Sequence, residues 1–85
     1  MVYTVELRPS ARRELLKLPR HDQLRLIRAM DALARNPRPK GVKKLTGPDD
    51  LYRIRVGDYR IVYQIHDDRL IVLVVRIGHR KDVYR

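Results

Sequence analysis

The 85-residue chain is long enough for one domain near the lower limit of a self-sufficient core, and its lack of cysteine excludes disulfide staples, zinc knuckles and thiol nucleophiles. Hydrophobic residues make up 44% and charged residues 35%, a globular rather than disordered balance, and the longest apolar run, Leu70 to Val75, falls far short of the about 20 residues that span a bilayer. Twenty Lys and Arg against ten Asp and Glu leave a charge of +10, which calls for a polyanionic partner, nucleic acid or an acidic protein, unless it is merely the surface of an Arg-biased proteome.

Val2 to Leu7 alternates as a short strand, with Tyr3, Val5 and Leu7 on one face. Pro9 and Ser10 open a helix in which Ala11, Leu15 and Leu18 recur at helical spacing, and Pro19 ends it. His21 or Asp22 caps a second helix running to about Ala34, with Leu26, Ile27, Met30, Leu33 and Ala34 as its buried stripe. The short Pro-containing turn between them predicts an antiparallel helical hairpin. Asn36 to Gly41, with two Pro and a Gly, is a connector.

Beyond it the period changes. Leu51 to Val56 alternates, Gly57-Asp58 reads as a two-residue turn, Tyr59 to Ile65 alternates again, and Asp67-Asp68 precedes the apolar strand Leu70 to Ile77. The fold expected is α+β, in the order β-α-α-β-β-β, a single domain over 1–85 with a helical hairpin packed on a mainly antiparallel four-stranded sheet. The last strand is apolar on both faces, so it is either central to the sheet or covered by the tail, the first helix or a partner.

A two-residue turn at Gly57-Asp58 sets Val56 opposite Tyr59, Arg55 opposite Arg60 and Arg53 opposite Val62. Arg53, Arg55 and Arg60 then share one face, while Tyr52, Ile54, Val56, Ile61, Tyr63 and Ile65 point to the other, under the helices. Like charges directly across an antiparallel pair repel, so the arrangement benefits the fold only if an anion lies between them. A register offset by a bulge, or a solvated outer face, are the alternatives. His21 and His66 read as structural, and Tyr52, Tyr59 and Tyr63 as packing residues. There is no metal-ligand cluster, no Gly-rich phosphate loop and no Ser/His/Asp arrangement in the sequence.

Three strings, Lys44-Leu45-Thr46-Gly47, Leu51 through Tyr63 and Ile77 through Tyr84, closely resemble the RelE branch of the RelE/ParE toxin superfamily, and the resemblance extends over the whole chain. It implies a toxin of a type II toxin-antitoxin system: a ribosome-dependent endoribonuclease that cuts mRNA in the A site without metal or cofactor. It implies too an acidic, partly disordered antitoxin that holds the toxin inactive and forms an autoregulatory DNA-binding complex with it. A cytoplasmic protein with no membrane partner is expected. By position, the family's catalytic residues fall on Arg53, Arg55, Arg60, Arg80 and Tyr84; Lys43, Lys44 and Lys81 are the candidate RNA-binding cations.

In such a reaction the RNA's own 2′-OH attacks the adjacent phosphorus and expels the 5′-oxygen. Arg60 with Arg53 or Arg55 would clamp the non-bridging oxygens, Arg80 would stabilise the departing oxygen, and Tyr84 would stack on a base. The best-known family member carries Lys where Arg53 and Arg55 stand here, and Arg is a poor proton acceptor. The general base is therefore open between His79, Tyr84, water and ribosomal RNA. Competing functions are a ParE-like DNA gyrase inhibitor that cuts no RNA and a non-catalytic basic binding module.

Overall fold

The computed structural model describes residues 2–47 and 50–79. Arg80, Lys81 and Tyr84 lie outside the described residues.

Strand β1 (Thr4–Leu7) leads into helix α1 (Pro9–Leu16), and helix α2 (Arg20–Arg35) follows after three residues. Pro9 occupies the first turn of α1, where its missing N–H is no loss. Past Leu16 the chain tightens, Leu18 N–H donating to the Leu15 carbonyl at 3.1 Å, and Pro19 stops the helix. The expected side-chain cap on α2 is not formed. Pro19 takes the N-cap position, its carbonyl accepting from Asp22 and Gln23 N–H at 3.0 Å each, and Asp22 falls inside the first turn, where a carboxylate favours the helix dipole. Gln23 Nε2 donates to the Leu18 carbonyl at 2.8 Å and so ties the interhelical turn to α2.

Ala11 and Leu15 of α1 and Leu26, Met30 and Leu33 of α2 are buried against the sheet. Ile27, expected in the stripe, is 40% exposed. Its neighbour Leu26 faces the sheet squarely, and a rotation of about 100° per residue carries Ile27 to the flank of α2.

The remaining strands are β2 (Lys43–Lys44), β3 (Leu51–Val56), β4 (Tyr59–His66) and β5 (Ile71–His79). They form one sheet with β1 in the order β1-β5-β4-β3-β2. The sheet is thus five-stranded and mixed, where four mainly antiparallel strands were expected. The extra strand is the two-residue β2, too short to show an alternation, and the parallel pair is β1 with β5, in register from Thr4↔Ile71 to Leu7↔Val74.

Strand β5 is interior, hydrogen-bonded to β1 on one side and β4 on the other. Its apolar reading on both faces has a specific cause. Pairing with β4 passes from Val62↔Arg76 to Tyr63↔Val74, leaving Val75 as a bulge. Val72 and Val74 before the bulge and Ile77 after it therefore all enter the core with Ile61 and Tyr63.

The 36–41 connector is fixed to this framework. Tyr63, fully buried, donates its hydroxyl to the Pro37 carbonyl at 2.7 Å, and burial raises its pKa so that the hydroxyl stays protonated. Arg38 pairs with Asp67 in the β4–β5 turn at 2.9 Å and lies 5.5 Å over the Tyr52 ring, which stacks on Tyr63. No described helix is long and apolar enough to cross a membrane.

Candidate nucleic-acid interface

The β3–β4 hairpin has the register read from its turn: Val56↔Tyr59, Arg55↔Arg60 and Arg53↔Val62. Gly57 carries φ +60° while Asp58 stays at negative φ, the pattern of a turn that demands glycine first. Arg25 of α2 reaches over this turn, its Nη2 only 2.6 Å from where a Cβ on Gly57 would stand. No bulge offsets the hairpin, since the sheet's irregularity lies between β4 and β5.

Arg53, Arg55 and Arg60 thus share the face turned away from the helices. It is not a plain solvated face, because Arg60 is only 7% exposed. Gly78 stands in register with Arg60 on β5, leaving that flank without a side chain. On the other flank β2 pairs Lys43 directly with Arg53, which puts the Lys43 side chain on the same face. Gly41, Lys43, Arg53, Arg55 and Arg60 line one concavity of about 290 Å³.

Among the described residues, the charged side chains lining that concavity are four cations, with no carboxylate. Guanidinium forks match the paired oxygens of a phosphate, and an ammonium beside them adds to the attraction for an anion. Next to it, beyond Arg55 and Gly41, a concavity of about 400 Å³ opens between α2 and β3, with Ala29, Leu33, Ile54 and Val56 on its walls.

Two other sequence candidates lie elsewhere. Lys44 is in register with Tyr52 and so points to the helix side of the sheet, its Nζ 3.3 Å from Asp50 and 6.0 Å from the Tyr52 ring. His79 is in register with Tyr59 and meets its ring edge-on at 6.0 Å, on the face opposite Arg60. Pairing parity decides both, since a shift of one residue along a strand exchanges faces. Tyr59 in turn donates to Asp22 at 2.9 Å, and that bond raises the Tyr59 pKa. His66 lies 3.3 Å from Gln64, and His21 lies 3.1 Å from Asp22.

Sequence reasoning missed Gly41, whose φ of +90° turns the chain into β2. The signal was present as a Gly closing a Pro-rich connector. It missed Arg76 too, which falls in rank with Arg53 and Val62 across the sheet and sets its guanidinium 3.6 Å from Glu14 of α1. Glu14 also accepts from the Ile77 N–H, at 3.2 Å. Among the described residues no three His, Asp or Glu converge as a potential metal site.

Residues 5–84 match the family described as the ParE toxin of the type II toxin-antitoxin system parDE. The toxin RelG of Mycobacterium tuberculosis is 35% identical, with 100% of this chain and 99% of that protein covered. The mRNA interferase toxin RelE of Escherichia coli K12 is 30% identical over 95% of this chain and 86% of its own length. Among solved structures, the RelBE2 toxin-antitoxin complex of M. tuberculosis superposes with a TM-score of 0.85 at 32% identity, covering 96% of this chain and 95% of that one.

Proposed function

The chain belongs to the RelE/ParE superfamily of type II toxins, in its RelE-like branch, and we propose that it is a ribosome-dependent endoribonuclease that cuts mRNA in the A site. The observation that carries this reading is the concavity in which Arg53, Arg55, Arg60 and Lys43 converge. An inhibitor that works by protein contact alone has no need of a phosphate-binding cluster of cations.

The reaction proposed is attack of the 2′-oxygen on the adjacent phosphorus, without metal, giving a cyclic phosphate and a 5′-hydroxyl. Arg55 and Arg60, facing each other across the hairpin, bind the non-bridging oxygens and stabilise the extra negative charge of the phosphorane. Arg53 and Lys43 extend the cationic wall along β3 and β2. Arg80, behind the departing oxygen, and Tyr84, stacked on a base, are assigned by family resemblance, and Lys81 is assigned to the RNA backbone as a neighbouring cation. His79 faces Tyr59, which argues against it as the base. Lys44, on the helix side, is left as a long-range contributor to RNA attraction.

The unit is one toxin domain over residues 1–85, acting in the cytoplasm. Its regulator is an acidic, partly disordered antitoxin that folds on binding and joins the toxin in an autoregulatory DNA-binding complex. The structural neighbour's being a toxin-antitoxin complex supports such a partner. The apolar concavity beside Arg55 offers it a hydrophobic anchor adjoining the cationic site.

Ribosome-bound mRNA cleavage by the wild type beside Arg60→Ala is the direct test. The wild type is expected to cut within translated codons, and Arg60→Ala to cut roughly 100-fold or more slowly while still binding ribosomes. Intact message accompanied by a DNA-damage response would instead support the gyrase-directed function of ParE-like toxins.

A further inference from the structure

We propose that Lys43 is a catalytic residue of this site, the general acid that protonates the departing 5′-oxygen. The inference rests on the ribonuclease reading above and gives it a proton donor.

The described residues bring three guanidinium groups and one amine to the concavity. Guanidinium, far more basic than an amine, does not exchange protons usefully near neutral pH, whereas an ammonium is the weaker base's conjugate acid and gives up its proton more readily. Among the described residues lining the concavity, Lys43 is therefore the one that can hand over a proton. Neither strand histidine lines the concavity: His79 packs against Tyr59 on the opposite face of the sheet, and His66, although on the Arg60 face of β4, stands six residues along the strand beside Gln64.

Lys43 is held where this role needs it. Its Cα is paired with that of Arg53, so both side chains leave the sheet on the concave side. Strand β2 is tied at both ends, Val42 N–H donating to the Pro39 carbonyl at 3.1 Å and Leu45 N–H to the Leu51 carbonyl at 2.8 Å. Upstream, the Tyr63–Pro37 hydrogen bond and the Arg38–Asp67 pair hold the connector to the sheet. Only the flexible stem of Lys43 is left to adjust, which suits a group that must follow an oxygen as it departs.

The choice of acid over base follows from the charge state. Near neutral pH an ammonium is a proton donor, and of the two oxygens that change protonation, the departing alkoxide is the one that requires a proton. In the step proposed, a lone pair of the 2′-oxygen forms the new bond to phosphorus while the 2′ proton passes to water. The bond from phosphorus to the 5′-oxygen breaks with its electron pair remaining on oxygen, which takes a proton from Nζ. The neutral amine then recovers a proton from solvent.

The test is single-turnover cleavage of ribosome-bound mRNA by the wild type, Lys43→Arg and Lys43→Ala. Two messages are compared, one ordinary and one with sulfur in place of the bridging 5′-oxygen at the scissile linkage. A thiolate leaves without protonation, so that message needs no acid. Lys43 is exposed, and thermal unfolding of each variant verifies that the fold is kept. Expected is that Lys43→Arg, which keeps the charge, binds RNA as the wild type does yet cuts the ordinary message about 100-fold more slowly, with most of the loss recovered on the sulfur message. Equal rates for Lys43→Arg and the wild type would overturn the proposal, because charge alone would then suffice. An equal loss on both messages would overturn it as well, moving Lys43 to attack or binding. A wild type that cuts neither message would remove the ribonuclease reading itself.

Discussion

Arg55 and Arg60 stand directly opposite each other in an antiparallel pair, a placement that sets like charges against each other. Arg55→Gln is accordingly expected to raise the thermal unfolding temperature at low salt, by the equivalent of about 0.2–1 kcal/mol, while slowing mRNA cleavage. Added salt should narrow the stability gap, because screening weakens the repulsion being relieved. An unfolding temperature that falls at every salt concentration would show that Arg55 supports the fold rather than burdening it. This trio was legible in the sequence because Gly57-Asp58 fixes the register, and a fixed register fixes every face along both strands. Lys44 and His79 were not legible in the same way. Each lies next to a residue of the cationic face, Lys43 or Gly78, and one step of parity sends it to the other side.

At the scale of elements, α2 separates what periodicity reads well from what it reads poorly. Leu26 is fully buried and Ile27 is 40% exposed, although both belong to the apolar stripe inferred from spacing. Leu26→Ala should destabilise the protein by about 2–5 kcal/mol, whereas Ile27→Gln should stay within about 0.5 kcal/mol of the wild type in chemical denaturation. Equal losses would mean that the helix is rotated from its described position. Spacing locates an apolar arc but not its centre, which depends on how the helix sits on the sheet. Strand β5 shows the converse difficulty: its bulge at Val75 breaks the alternation, so the sequence reads as a continuous apolar run and hides which residues enter the core. A bulge depends on both strands of a pair, and one strand's sequence does not reveal it.

Over the molecule as a whole, the surface excess of positive charge coexists with a few anions placed to join separate parts of the chain. Asp67 is the clearest of these, accepting from Arg38 in the connector and from Tyr3 just before β1. The Arg38 hydrogen bonds are the larger cause, and the Tyr3 bond the next, holding the Asp67 carboxyl below its ordinary value of 3.8. A carboxyl depressed in the folded state contributes stability that is present above its unfolded pKa and lost as pH falls through the folded value. The unfolding temperature should therefore decline below about pH 4 more steeply for the wild type than for Asp67→Asn. Parallel curves would remove Asp67 from the joint. The same joint fixes the connector from which β2 and Lys43 extend, so fold stability and site geometry share a support.

The sequence by itself determined the two helices, the hairpin and its register, the cationic face of Arg53, Arg55 and Arg60, and the family. These rest on local signals: side-chain period, proline and glycine stops, and a two-residue turn that leaves no freedom of register. Only the tertiary structure decided that β1 runs parallel beside β5, that β2 exists as a fifth strand, and that Lys43 rather than Lys44 joins the arginines. Those outcomes depend on which edges meet after the chain has folded back over dozens of residues. A two-residue strand has too little sequence to announce its partner, and its pairing with β3 is what brings an amine into a ring of guanidinium groups.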